Sequence, residues 1–416
     1  MITLEKLERW VWLAFLLFLP LQVRYVYSPT WYFNEYTSYA VYFTDVLLLV
    51  LLGLWIFSGR ITLHRPSLTT VLLLLFGAIA GISIIQASQE GIAWYRWGKL
   101  VEGIILWFYI RNRAFDVAHA RSMLKALLLG AVPNLSIAIM QYLRQADLGL
   151  QFLGESVLSP DLRGIASFYN NQNEKVIRAY GLMPHPNVLA TYILAILSGW
   201  YLLSKAYRMR VILIGYTSTL LALCMTFSRT AILAWGGTMS WLSIRYRERM
   251  SMFMVASLLT LLIFGGVFYG DVVGRFTLVQ SDEAVTLRSY YNERAIGSGD
   301  GINWLGLGIG NFVPWLMERH PELIRDLHQP AHNIFLLVYA ELGILGLALL
   351  MAFLISLTVS FWRSVNGLGR ELGILWIATL LFIGTFDHFF WTLQQGIFIF
   401  WGILGMIAHY SKSRYT

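Results

Sequence analysis

The feature that most constrains this chain is a recurring apolar stretch of roughly membrane-crossing length. Such stretches fall at about 10–23, 39–57, 68–85, 92–110, 122–142, 187–205, 210–227, 231–244, 251–269, 331–361, 371–386 and 394–409. A helix crosses the hydrocarbon layer with about 20 apolar residues. It is favoured there because each backbone donor and acceptor is paired within the segment. Of the 416 residues, 57% are hydrophobic and 13% are charged, against about 25% charged in soluble domains. The pattern predicts an all-α polytopic membrane protein of about twelve transmembrane helices, forming a single integral membrane domain over 1–416. The 16 Trp and 22 Tyr fit aromatic belts at two interfaces. The first apolar run follows Lys6 and Arg9 without a small-residue cleavage site, so it reads as a retained helix. The single cysteine, Cys224, excludes an internal disulfide and a cysteine-based metal site.

Charge sets the orientation. Alternate connections hold Lys6, Arg9, Arg60, Arg65, Arg111, Arg113, Arg121, Lys125, Lys205, Arg208, Arg210, Arg245, Arg247, Arg249, Arg363, Arg370, Lys412 and Arg414, nearly all in short loops. By the positive-inside rule this face, with both termini, is cytoplasmic. The net charge of +8 is accounted for largely by these loops and carries no nucleic-acid signal. The opposite, outer face holds two long segments, 143–186 and 270–330. Connections of that length are uncommon unless functional. Short helices lying on the membrane are expected within 270–330.

Chemistry-bearing residues gather in these outer segments. "HQPAHNIFLLVYAELG", His328 to Gly343, runs from polar residues into an apolar helix. Pro330 suits a first helical turn, which places His332 in that turn. A helix N-terminus disfavours an imidazolium, so His332 would remain neutral and able to accept a proton from a hydroxyl. Asn333 would orient that ring or a sugar. The alternative is that both residues merely cap the helix, with His328 an ordinary loop histidine. "RAYGLMPHPN" joins the first long segment to the next helix. Its prolines fix the direction of His185, and Arg178 either snorkels to headgroups or meets a ligand. In "TFSRTA", Arg229 caps a tight hairpin between two helices, and its planar fork suits a phosphate. In "TLRSYYNERAI", Arg288 shares a helical face with Tyr291 or Asn292. It would either reach the outer vestibule or pair with Asp282 or Glu283. "GLGIGNF" lacks the Lys-Ser/Thr of a nucleotide loop and reads as a flexible turn.

Arg96, Lys99 and Glu102 line one face of a membrane helix. Lys99 lies ~10 Å below that helix's outer end, and Asp45 lies ~9 Å down its own. A lone charge at such depth costs on the order of 3 kcal/mol, so partners are expected. Two readings stand: a structural Asp45–Lys99 network, or Arg96 and Lys99 extending a phosphate-binding groove. The sequence has no Asp-x-Asp pair, no HExxH and no P-loop, and "DHFF" (Asp387, His388) is too little for a metal site. No metal or cofactor is predicted.

"RAYGLMPHPN", "TFSRTA", an arginine-bearing outer segment ending in "GLGIGNF", and "HNIFLLVYAELGILGL" occur in that order over about 178–347. Together they resemble the O-antigen ligase and polymerase superfamily of membrane glycosyltransferases, and O-antigen ligase most. The amino-terminal half matches in hydropathy only. The resemblance implies a GT-C-type architecture in the bacterial inner membrane, with the active site facing the periplasm. It implies an undecaprenyl-diphosphate-linked glycan as donor and lipid A–core as acceptor. Arg229 and Arg288 match the family's essential arginines, and His332 matches its essential histidine. Arg178 matches the arginine of the element containing "HPN", where His185 and Asn187 are expected to contact substrate. Arg96, Lys99 and Asn333 complete the candidate binding set.

An inverting, metal-independent displacement is then expected, with arginines on the diphosphate and His332 as base. An O-antigen polymerase or a protein O-oligosaccharyltransferase would use the same donor. The compact outer segment, with no acceptor domain after Thr416, favours the ligase. A transporter or flippase would instead place its polar site centrally, between inverted repeats with broken helices. Here the polar residues gather at the outer edge and no repeat is evident.

Overall fold

The computed structural model describes residues 3–28, 33–59, 66–113, 117–277, 283–298 and 303–411. The stretches carrying Arg60, Arg65, Asp282, Lys412 and Arg414 lie outside the described residues. In chain order the helices are α1 (Leu4–Phe18), α2 (Phe43–Phe57), α3 (Leu68–Ile82), α4 (Glu90–Asn112), α5 (Val117–Arg144), α6 (Pro186–Leu203), α7 (Met209–Met225) and α8 (Arg229–Arg245). There follow α9 (Arg247–Val267), α10 (Tyr269–Thr277), α11 (Glu283–Ile296), α12 (Phe312–Arg319), α13 (Ile334–Ser364), α14 (Gly367–Phe386), α15 (Phe389–Thr392) and α16 (Gln394–Ser411). Two short strand pairs, β1 (Arg24–Tyr27) with β2 (Tyr39–Tyr42) and the antiparallel β3 (Ser167–Tyr169) with β4 (Lys175–Ile177), are the strands found among the described residues.

The chain is an all-α polytopic membrane protein. A helix stands at each of the twelve expected stretches. Among the described residues, six helices are long and apolar enough by themselves to cross a membrane: 68–86, 118–144, 186–203, 250–267, 334–364 and 367–386. Helices α2 and α7 are apolar but shorter. The expected short helices of segment 270–330 are α10, α11 and α12. The strand pairs were not expected. At Tyr39–Tyr42 the apolar run begins as strand β2, so α2 starts only at Phe43. Asp45 therefore lies in its first turn and accepts the Tyr42 N–H at 2.9 Å. Its expected depth of several ångströms down a helix is corrected accordingly.

The described residues divide into two compact units, one of 1–8, 25–114 and 283–416, the other of 9–24 and 115–282. In the first, α4 lies against α16 and α3 against α13. Gly103 permits the α4–α16 approach, since a Cβ there would lie 2.2 Å from the Trp401 ring. Small residues at such crossings let helix backbones come close. Lys99 is buried and ion-paired with both Asp45 and, at 3.2 Å, Glu102. Gln394 of α16 donates to the other oxygen of Asp45. Lys99 and Glu102 are thus paired within the bundle.

Helix α13 is broken at Gly343, whose φ of 67° and ψ of −169° interrupt the ladder. Segment 303–310 closes the break. Leu307 and Gly308 donate to the carbonyls of Ala340 and Glu341 at 2.9 and 3.0 Å. Ile344 N–H in turn donates to Asn303 O at 2.9 Å. A Cβ on Gly306 would lie 2.3 Å from the Glu341 carbonyl, and one on Gly343 the same distance from that of Trp304. The glycines of "GLGIGNF" therefore bring one backbone against another. Irregular backbone in a membrane helix requires such partners, which corrects the reading of a flexible turn.

In the second unit α6 packs on α7, and α7 on α9. Gly215 of α7 accommodates the Trp200 ring of α6, 2.3 Å from where its Cβ would stand. The β3–β4 hairpin, in the register Ser167↔Ile177, is approached by α10. A Cβ on Gly274 would come within 2.4 Å of the Tyr169 carbonyl.

Candidate active site

In the first unit the candidate site forms at the start of α13. The helix begins at Ile334, not within 331–333, because Asn333 is its N-cap. The Asn333 carboxamide oxygen accepts the N–H groups of Phe335 and Leu336 at 2.9 and 3.1 Å. Such a cap is worth about 1 kcal/mol. His332 therefore precedes the helix instead of lying in its first turn, and Pro330 lies further out. His328 is buried, its ring Nε2 within 3.2 Å of the His320 carbonyl.

Aromatic side chains fix the half-buried His332 ring. Tyr291 stacks on it at 5.8 Å between centroids and 18° between planes. His388 stands against it at 4.9 Å and 83°. Tyr36 meets the His388 ring in turn, at 5.6 Å and 81°. The Tyr291 hydroxyl donates to Leu327 O at 2.5 Å, which fixes α11 to the segment leading into His332. Tyr291, Phe312, Ala331, Leu337 and Ala340 share one buried cluster, so α11, α12 and the first turns of α13 form a rigid support.

Arg288 lies one turn before Tyr291 and Asn292 on α11, as the spacing predicted. Its Nε and the Asn292 Oδ1 are buried and have no hydrogen-bond partner among the described residues. The alternative pairings of Arg288, with Asp282 or with the Glu283 side chain, lie outside what the structure describes. Buried polar atoms are nearly always satisfied in folded proteins, so two orphans one turn apart suit a polar ligand. Arg96 differs: its two terminal nitrogens donate to Thr392 O at 2.7 Å and Glu35 O at 3.0 Å, binding α4 to neighbouring backbone. A cavity of about 20 Å³ adjoins Arg96, Gly310, Glu341 and Thr392. That is room for water, not for a sugar.

His388 lies in the turn between α14 and α15, fully enclosed. Its Nδ1 is 2.7 Å from Thr392 Oγ1, and Asp387 Oδ1 accepts its backbone N–H at 2.8 Å. Burial pushes its imidazole down to about 4; Asp387 opposes this, while Arg288 and Arg96 add to it. The ring is neutral across the physiological range. Among the described residues, no group of three or more His, Cys, Asp or Glu side chains is placed to hold a metal.

In the second unit, His185 is the N-cap of α6, its Nδ1 accepting the Asn187 N–H at 3.1 Å. Arg178 does not snorkel to headgroups. It is 4% exposed, with Nε donating to Thr226 O at 2.6 Å and a terminal nitrogen donating to Asn187 Oδ1 at 2.5 Å. It thereby ties the start of α6 to the turn that carries Arg229. Arg229 is the first residue of α8, and one terminal nitrogen donates to Arg275 O at 2.7 Å. The buried Arg275, not singled out by the sequence, lies over the Phe168 ring at 5.7 Å.

His388 and Tyr36 were also missed as site residues. Their only sequence signal is the proximity of His388 to an acidic neighbour. Tyr291 had a signal in its spacing from Arg288.

Fold and site define a polytopic helical membrane protein with a histidine, an arginine and buried aromatic rings gathered where a broken helix begins. Residues 189–351 match the family model described as O-antigen ligase, a match that supports the O-antigen ligase and polymerase superfamily. It supports glycosyltransferase activity of that type in lipopolysaccharide biosynthesis, with a lipid-linked glycan and a lipid acceptor in general terms. Comparison with curated proteins yields no match.

Proposed function

We propose that the protein transfers a glycan from undecaprenyl diphosphate to a sugar hydroxyl of lipid A–core, at the periplasmic face of the inner membrane. The observation that carries this reading is Arg288 Nε, buried and without a hydrogen-bond partner among the described residues, one helical turn from the tyrosine that stacks on His332. A guanidinium there suits a diphosphate, whose negative charge grows as the glycosidic bond breaks. In the step proposed, the acceptor oxygen attacks the anomeric carbon as the bond from that carbon to the diphosphate oxygen breaks. The hydroxyl proton passes to His332, and the bond's electron pair leaves with the diphosphate. One displacement inverts the anomeric configuration and uses no metal. Arg229, in the other unit, is assigned a phosphate contact on the sequence resemblance alone. Arg178, His185 and Asn187 serve by holding the start of α6 and the turn of Arg229.

The test is reconstituted transfer with the purified protein and lipid-linked glycan, in the presence of a chelator. Lipid A–core, further lipid-linked glycan and a serine-containing peptide are offered in turn. Product on lipid A–core alone supports the ligase. Product on glycan or peptide moves the assignment to a polymerase or protein glycosyltransferase, and loss of transfer on chelation contradicts the metal-free step.

A further inference from the structure

We propose that His388 is a positioning residue for His332, its ring holding the base in the orientation from which it takes the acceptor proton. This rests on the reading of His332 as base. His332 lies ahead of its helix, so helical backbone does not fix its ring. Two aromatic rings hold it instead. Tyr291 covers one face, and the His388 ring stands nearly perpendicular to it at 4.9 Å. The His388 ring is itself set by Thr392 Oγ1 at 2.7 Å and by the Tyr36 ring standing nearly perpendicular to it.

The groups facing His388 are Asp387 from its own turn, Arg288 from α11, Arg96 from α4, Tyr36 and His332. Burial above all keeps its imidazole uncharged; Asp387 opposes this, and Arg288 and Arg96 add to it. A charged ring there would repel the imidazolium that His332 becomes during transfer. An uncharged ring adds no such like-charge repulsion. His388 thus does not touch the reacting atoms; it acts through His332.

The experiment compares His388→Ala, His388→Asn and His388→Phe in the reconstituted reaction, alone and in a His332→Ala background. His388→Phe retains a ring and is expected to keep kcat within about fivefold. His388→Ala and His388→Asn lack the ring and are expected to lose at least tenfold in kcat, with KM for the donor changed less than twofold. In the His332→Ala background neither is expected to lower the rate further, because the residue through which His388 acts is gone. Wild-type kcat in His388→Asn, or a loss through KM alone, overturns the proposal while leaving His332 as base. If His388→Ala does not fold, His388→Asn and His388→Phe decide. Near-normal turnover of His332→Ala overturns the underlying reading instead.

Discussion

His332 and Tyr291 lie ring on ring, 5.8 Å between centroids and 18° from parallel, although 41 positions separate them in the chain. The stack ties the candidate base to the helix that presents Arg288. Tyr291→Phe keeps the stack and removes the hydroxyl that donates to Leu327 O. It is expected to cost about 1 kcal/mol of stability and to leave kcat within about threefold. Tyr291→Ala is expected to cost about 3 to 5 kcal/mol and to lower kcat in whatever protein remains folded. Thermal melts in detergent, with kinetics on the folded fraction, check both.

Gly343 is required by conformation and by space together. Its φ and ψ belong to a region nearly restricted to glycine, and a Cβ would strike the Trp304 carbonyl. Gly343→Ala is expected to destabilise by at least about 2 kcal/mol. The measurement is the melting temperature and yield of folded protein. An unchanged melting temperature would refute the account of the break.

Arg178 is expected to report on stability first. Removing its guanidinium leaves Thr226 O and Asn187 Oδ1 short of a buried partner, a loss of about 3 kcal/mol or more. Lysine lacks the fork that reaches both, so Arg178→Lys should rescue poorly. Chemical denaturation of the two variants tests this. A variant of full stability that loses transfer alone would make Arg178 a direct substrate contact.

Acid should weaken the fold through His388. In the unfolded chain its imidazole takes a proton near 6.5, in the native protein only near 4. Between those values the unfolded state binds more protons, so stability falls as pH falls through that window and levels off below about 4. The loss amounts to about 3 kcal/mol at most. His388→Phe should lack that component. Denaturation midpoints at pH 7.5, 5.5 and 4 measure it, and identical acid dependence in wild type and variant would contradict it.

The helices were legible because membrane-length apolar runs admit few other structures, and the Arg288–Tyr291 face because i, i+3 spacing is a local property. What escaped was set by contacts distant in sequence. Asn333 beat Pro330 to the helix start because its side chain satisfies two backbone donors at once. The break at Gly343 depends on backbone more than 30 residues upstream. The approach of His388 to His332 depends on how α14 and α15 return to the start of α13. Asp45 was misplaced because a β-bridge and a helix can share one apolar run.

The central claim is that Arg288 and His332 carry out transfer, one on the diphosphate and the other on the acceptor proton. The most direct measurement is the single-turnover rate of glycan transfer to lipid A–core in proteoliposomes, for wild type, Arg288→Ala and His332→Ala, at matched amounts of folded protein and saturating donor. Each substitution should slow the chemical step by about 10² to 10³-fold or more, with His332→Ala still binding donor. A single-turnover rate within a few-fold of wild type in either variant contradicts the account.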